Sequence, residues 1–438
     1  MVRRNHRKVP SMSARADGHR TRTPAPTTGS GEGHRPRPVA RRRTAFLAAA
    51  ASAAVTVVLA GCAPDARTSP SSTAPSSTAP SSTAPSARSG SAQKDDRPAR
   101  LPGGTILVTD FGADTVTFVG PPGRATAGRQ SVEVGTAPYG IVLGADGTAW
   151  VATAEGVAAV DTVTRRRTAL VPYATDTGPV TTGEYRGGGM GIALSPDGGT
   201  VYVGVHVPGA RGTLEAIDTE RRAVVDTVPV GRRPFDVDVS GDGRRIYATG
   251  HDSFDVTVVD AAAWTSRRVE VAPYGTEGGL GSWLKPHYAA VRPSDGALLL
   301  PFEGERLAVV DPDTGRVRVE RMTADTHQHG VAVTEDGTLF AVGTGPIDPS
   351  TDAGPSLTVR AADGEERVIP LDGPHEDVVV TADGRTAYVS GGFTRDGYWD
   401  GISVVDVATG EVTRVPAGTR PLGMVLLGGV APTDTDAG

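Results

Sequence analysis

Residues 230–260 read VGRRPFDVDVSGDGRRIYATGHDSFDVTVVD. An alternating apolar run from Val237 to Ser240 leads to Asp242-Gly243, a second run follows, and after a loop a third run ends in Val259-Asp260. Asp-Gly between two alternating runs is a hairpin signal, because glycine takes the positive φ of a tight turn. The stretch therefore reads as three antiparallel strands.

The same pattern recurs from about Thr105 to Leu427. First strands run Ile141 to Gly144, Ile192 to Ser195, Val237 to Ser240, Ala289 to Arg292, Val331 to Thr334 and Val378 to Thr381. They lead to turns at Asp146-Gly147, Asp197-Gly198, Asp242-Gly243, Asp295-Gly296, Asp336-Gly337 and Asp383-Gly384. Third strands end at Asp161, Asp218, Asp260, Asp311, Ala361 and Asp406, and a fourth strand follows each. Successive Asp-Gly pairs lie 41 to 53 residues apart, a period that suits four-stranded propeller blades and exceeds that of leucine-rich repeats. The ends complete the count: ILVTDFGADTVTFVG (106–120) supplies second and third strands without a first, and RPLGMVLL (420–427) supplies a first strand alone. The expectation is an all-β, seven-bladed β-propeller over residues 101–430, closed by its C-terminal strand, with a disordered tail at 431–438.

What precedes the repeats is of another kind. The first 43 residues take 12 of the 44 basic and 2 of the 50 acidic residues, leaving the rest at 32 against 48, a net −16. From Thr44 to Gly61 the run TAFLAAAASAAVTVVLAG carries no charge; it has the length of a signal-peptide apolar region and is short for a membrane span. Leu59-Ala60-Gly61-Cys62 resembles the lipobox of bacterial lipoproteins, which implies removal of residues 1–61 and lipidation (diacylglycerol, palmitate) of Cys62. Cys62 is the chain's single cysteine, so no internal disulfide can form; the alternative is an ordinary membrane anchor with a chance cysteine at its end. Arg42-Arg43 before Phe46-Leu47 resembles a twin-arginine signal with its spacing off by one residue, so export by the Sec or the twin-arginine route both stay open. Residues 62–100 include three SSTAP repeats between Ser71 and Pro85 and read as a disordered, extended tether. The expected place is the extracytoplasmic face of a cell membrane, held by the lipid. The acidic balance after the leader disfavours nucleic acid as a partner.

The repeat units VGRRPFDVDVSGDGRRIYATG and PAGTRPLGMVLL, with VVDVATGEV, resemble the YVTN-type propeller repeat of surface-layer and quinoprotein amine dehydrogenase-like proteins. That resemblance implies fold and export; similar propellers include binding proteins, lyases, lactonases and copper or haem enzymes, so it does not choose an activity. Pro138-Tyr139-Gly140 followed by DGTAW also resembles streptogramin-lyase repeats, although that family's catalytic set cannot be mapped onto this chain.

In such a blade the first strand starts on the top face beside the central channel. Aligning the repeats at their Pro or Gly makes the strand openers Tyr139, Met190, Phe235, His287, His329, His375 and Leu422. The second strands end, on the same face, at Ala154, His206, His251, Glu303, Thr344 and Gly392. His327 also falls there. Each histidine alone is explained as well by an exposed loop or a satisfied strand end. Together they suggest a site in which His287, His329 and His375 offer three imidazoles to a transition metal (copper, zinc or iron), with Glu303 as fourth ligand or general base. Acid–base use without metal is the other reading, with His206 and His251 as further catalytic candidates or as a substrate wall. Nitrous oxide reductase also holds copper with histidines facing a propeller axis, but this chain has too few ring histidines for that cluster, and the analogy is one of location. Long top-face segments at 171–189, 272–285, 345–356 and 393–401 carry Tyr173, Tyr185, Tyr274, Trp283, Tyr398 and Trp399 and suggest a lid or cradle.

Three roles follow: a module that binds a small molecule, metal or envelope component; a metal-dependent extracellular lyase, hydrolase or oxidase using the same side chains; or a structural spacer of the envelope.

Overall fold

The computed structural model describes residues 104–120, 130–271, 285–302, 306–324, 328–344, 354–392 and 397–428. The leader, Cys62, the tether, Glu303, His327, Tyr274, Trp283 and the tail lie outside these. The described residues belong to one compact unit, Ser91–Gly438. Among them there is no helix, and so none to cross a membrane.

Seven four-stranded antiparallel sheets form a β-propeller. Blade 4 shows the plan: Pro234–Val239, Arg245–Gly250, Asp255–Asp260 and Thr265–Glu270 pair in sequence order, from the axis to the rim. The middle strands are buried on both faces, as in Leu298–Phe302 of blade 5, where every residue is buried. This is why they read as unbroken apolar runs. Rim strands such as Thr265–Glu270 are mostly exposed, and charges dominate them.

Each pair of neighbouring blades shares its own apolar cluster. Seven such clusters occur, for example Tyr247, Val256 and Val258 of blade 4 against Leu298, Leu300 and Val310 of blade 5. Burial at roughly 25 cal/mol per Å² of apolar surface is thus spread around the ring and stabilises it without disulfides.

The expected closure is present. Pro421–Leu427 pairs antiparallel with Thr105–Asp110, with Leu107 opposite Val425, and completes blade 1 as its innermost strand. Blade 1 therefore draws on both ends of the repeat region, and no sheet edge is left open at the seam.

The Asp-Gly turns are longer than two-residue hairpins. The amide of Gly147 donates to the carbonyl of Gly144 at 2.9 Å, and Gly147 itself has φ +86. The same bond and a positive φ recur at Gly198, Gly243, Gly337 and Gly384; Gly296 also has a positive φ, but its turn is one residue longer and its amide reaches back to Arg292. Only the glycine enters the left-handed region, the pattern of a type I turn followed by a left-handed residue. The aspartate acts differently: in all six turns its Oδ1 accepts the amide two residues on, as Asp242 does from Arg244 at 3.0 Å. The aspartates ending third strands cap the next turn in the same way, Asp260 accepting from Ala262 and Ala263.

Candidate functional site

Counting five residues back from the residue at which each inner strand turns (Gly144, Ser195, Ser240, Arg292, Thr334 and Thr381) gives Tyr139, Met190, Phe235, His287, His329 and Glu376. These, with Leu422 of the closing strand, are the residues at the channel mouth. Phe111, Ala137, Tyr139, Met190, Phe235 and Leu422 form an eighth buried cluster at the hub, with Tyr288 packed against it. The ring of Phe235 lies 5.5 Å from Tyr139 and 5.2 Å from Tyr288, both edge-on.

Alignment at proline shifts blade 7 by one residue. In blades 1, 2 and 4 the proline immediately precedes the opener (Pro421-Leu422, Pro138-Tyr139, Pro234-Phe235), and the residue before it is left-handed: Arg420 φ +53, Ala137 φ +49, Arg233 φ +51. In blade 5 Pro286 likewise precedes His287, whereas in blade 7 proline occupies the left-handed slot itself, as Pro374, where its ring forbids positive φ. The chain of blade 7 enters by another path, and Glu376 becomes the opener in place of His375.

His287 and His375 therefore differ. His287 stays at the mouth: its ring is 5.2 Å from Phe235 and stacks at 4.4 Å on His329, and its Nε2 lies 3.2 Å from Nε2 of His251. His375 is withdrawn, with no exposed surface. Its Nδ1 bonds the carbonyl of Gly373 at 2.7 Å and its Nε2 bonds the Ser403 hydroxyl at 2.8 Å. Both nitrogens of His375 are thereby used within its own blade, so His287, His329 and His375 do not converge as a ligand tripod. Among the described residues no group of three or more His, Cys, Asp or Glu is arranged to hold a metal ion.

What converges instead is a line of side chains across four blades. Lys285 Nζ and His251 Nδ1 both bond Oδ1 of Asp252, at 3.0 and 2.7 Å. His251 meets His287, His287 stacks on His329, and His329 Nδ1 lies 3.1 Å from Oε2 of Glu376. The Tyr288 hydroxyl donates to Oε1 of Glu376 at 3.3 Å. Burial raises the Asp252 carboxyl, but the bonds from His251 and Lys285 outweigh it and hold the group well below the usual carboxylate range. Burial pushes His251 down to about 3, so its imidazole is neutral at pH 7. An ionised Asp252 can only accept, so His251 carries its proton on Nδ1; its Nε2 then accepts, and Nε2 of His287 is the donor. The tautomers of two histidines are fixed by one aspartate.

His206 stands one blade earlier, at the end of Thr200–His206, and is 5% exposed. Burial, and then the neighbouring Arg233, push it down to about 4. All five described histidines are buried. The segment between Pro172 and Gly188 lies over this side: Glu215 accepts the amides of Ala174 and Thr175, and the buried Arg186 donates to the carbonyls of Ala137, Gly187 and Gly189.

Below the mouth the inner strands touch directly. A Cβ on Gly191 would fall 2.4 Å from Cα of Asp236, and one on Gly330 2.6 Å from Cα of Asp377. Asp236 accepts the Ala289 amide of the next blade at 2.8 Å, and Asp377 accepts the Met424 amide of the closing strand at 3.2 Å. Burial raises these carboxyls to about 6 and about 7 respectively. Beneath this waist runs a channel of about 670 Å³, lined mostly by apolar side chains with Asp236, Asp238 and Asp377 and, at its upper end, Tyr139 and Tyr288.

Asp252, Tyr288, Glu376 and Arg233 are the mouth residues that motif reading passes over. The signal for Glu376 was present as its distance from the Asp-Gly turn; nothing in the local sequence marks Asp252, Tyr288 or Arg233.

Several solved structures share this architecture. The periplasmic gluconolactonase of Pseudomonas aeruginosa is 16% identical, with a TM-score of 0.55 over 74% of this chain and 99% of that one. Hydrazine synthase of Kuenenia stuttgartiensis is 17% identical, with a TM-score of 0.52 over 65% and 88%. Virginiamycin B lyase of Staphylococcus aureus, in a catalytically inactive form with quinupristin, is 14% identical, with a TM-score of 0.50 over 72% and 91%. At these identities the likeness is one of fold: the chain is a seven-bladed β-propeller, a class whose members differ in function. No protein-family model matches the chain, and no curated protein matches its sequence.

Proposed function

We propose that this protein is a lipid-anchored, extracytoplasmic propeller of the YVTN-repeat type that binds a small polar molecule at its histidine-lined mouth. The observation that carries the binding reading is the chain Asp252–His251–His287–His329–Glu376, five hydrogen-bonding or stacked groups gathered from blades 4 to 7. Ring closure and inter-blade packing do not require imidazoles there, since blades 1, 2 and 3 fill the equivalent openers with Leu422, Tyr139 and Met190. Polar groups held at a channel mouth beside rigid aromatic rings are the ordinary makings of a ligand site.

The anchor reading rests on the lipobox-like Leu59-Ala60-Gly61-Cys62, the apolar run before it and the Ser/Thr/Pro tether after it. The partners are then the membrane, through the lipid, and a soluble molecule or envelope component; the net −16 beyond the leader argues against nucleic acid.

An enzymatic use of the same groups is favoured by one feature, the Asp252–His251–His287 series, in which a carboxylate orients an imidazole that faces a second imidazole. A metal is not needed for that chemistry.

The test has two arms. Cells fed labelled palmitate should label the wild-type chain and not Cys62→Ser, which should leave the membrane fraction; label retained on Cys62→Ser defeats the anchor. The purified chain should be screened by thermal shift against organic acids, sugars, amines, nucleosides and Cu²⁺, Zn²⁺ and Fe²⁺ salts. Binding abolished by His251→Ala and by His287→Ala supports the site, whereas a ligand indifferent to both, or none at all, leaves the ring a spacer.

A further inference from the structure

We infer that Arg233 and His206 form an oxyanion pocket beside the imidazole chain, built to take a carboxylate or phosphate group of the bound molecule. The inference rests on the binding reading above and adds the charge class of the ligand.

Arg233 has a side chain with 0% exposure, and among the described residues neither its Nε nor its Nη1 has a hydrogen-bond partner. Only Nη2 is engaged, at 3.2 Å from both the carbonyl and Oε1 of Glu184. The flat faces of the guanidinium are covered, with the Tyr185 ring at 4.4 Å and the Phe235 ring at 5.2 Å from Cζ. Cation–π contact steadies the faces, but a guanidinium offers five N–H donors around its edge, and most of that edge is unanswered. Nδ1 of the buried His206 likewise has no partner. The contrast with Arg186 is direct: that side chain is equally buried, and its donors end on three carbonyls.

The backbone does not call for arginine here. The left-handed slot before proline is filled by Ala137 in blade 2, and by Arg420 in blade 1, whose guanidinium stacks on Tyr398 at 4.2 Å. Of these three slots, that of blade 4 alone turns a cation into the hub.

The surrounding charge favours an anion. Arg186, Arg233 and Lys285 are the fixed cations of this corner. Against them stand Asp252, already bonded to His251 and Lys285, and Glu184. The Glu184 side chain is 39% exposed, and it sits with Tyr185 between the two anchored ends of the Pro172–Gly188 segment. Its carboxylate holds the place that a ligand oxyanion would take, and outward rotation of Glu184 and Tyr185 opens the unused edge of Arg233. Charge-assisted bonds to a planar guanidinium suit either oxyanion.

The experiment titrates the purified chain with sodium phosphate and, separately, sodium succinate at matched ionic strength, reading the melting temperature and heat by calorimetry. A saturable response to one of them is expected, and which one responds distinguishes phosphate from carboxylate. Arg233→Gln should weaken it by roughly tenfold or more, the scale of one charge-assisted bond, and Glu184→Gln, which removes the internal rival, should strengthen it. Should Arg233→Gln fail to fold, Glu184→Gln decides: unchanged or weaker binding overturns the pocket, as does the absence of any saturable response in the wild type. If neutral or cationic compounds bind in a His251-dependent way while no anion does, this inference falls and the binding reading stands. If anions bind through Arg233 while no binding depends on His251 or His287, the imidazole site falls and the pocket stands.

Discussion

His329 and His375 look alike in the sequence, each a histidine shortly before an apolar strand and an Asp-Gly turn. One lies at the mouth against His287 and Glu376; the other is sealed between Gly373 and Ser403. The difference is a single residue of register, caused by Pro374 in a slot where blades 1, 2 and 4 carry a left-handed residue. The sealed imidazole has a measurable signature. Burial pushes His375 down to about 4 from its ordinary 6.5, so between those values the unfolded chain binds the proton and the folded chain does not. Its contribution to stability is complete above pH 6.5 and is lost as pH falls towards 4, on the order of 3 kcal/mol at 1.36 kcal/mol per pKa unit. His375→Asn keeps a donor towards Gly373 and removes the titration. Denaturation curves should show wild type more stable than the variant at pH 7, with the gap closing as pH falls to 4; a gap independent of pH would contradict the assignment. Conversely, Asp377 is raised to about 7, so the stability it contributes in protonated form is present below pH 3.8 and declines as pH rises through 7.

Strands and turns were far more legible than the site, because they are written by repetition. Six Asp-Gly pairs place six hairpins whatever lies between them, and the Val-Asp ends of third strands mark the next turns. Within the turn the glycine supplies the positive φ, as its sequence signal implies, and the aspartate serves as an amide acceptor. That division of labour predicts unequal costs. Asp336→Ala loses the Oδ1 bonds to the Thr338 amide and the Thr334 hydroxyl, exposed interactions each worth about 0.5–1.5 kcal/mol. Asp336→Asn keeps an acceptor and should recover most of the loss in urea melts. Equal destabilisation by both would show that charge, not hydrogen bonding, is what the position supplies. The mouth could not be read at this scale, because Asp252, Arg233 and Glu376 gain their meaning only from residues one or two blades away.

For the ring as a whole, the closing strand carries the burden. Leu422, Met424 and Leu427 are buried, and Met424 also satisfies Asp377 of blade 7 through its amide. Ending the chain after Gly418 leaves Thr105–Asp110 with an open edge and strips one wall from two inter-blade clusters and the hub. Large-to-small changes at buried Leu or Met cost about 2–5 kcal/mol each, so loss of three such residues should abolish a cooperative thermal transition. Circular dichroism on heating would show it, with limited proteolysis cutting first in blade 1. A truncated chain that melts as sharply as the full one would mean that the other six blades hold the ring unaided.

The seam has one more consequence. The amide of Gly104 donates to the carbonyl of Leu427 at 3.2 Å, so the polypeptide enters and leaves the propeller at one point. A linker of a few residues would join the two ends without disturbing a blade, and new termini could then be opened in any exposed turn. Circular permutation of this kind makes the order of blades along the gene independent of their order in space. The histidine mouth, built from blades 4 to 7, could be encoded first, last or in the middle of the chain.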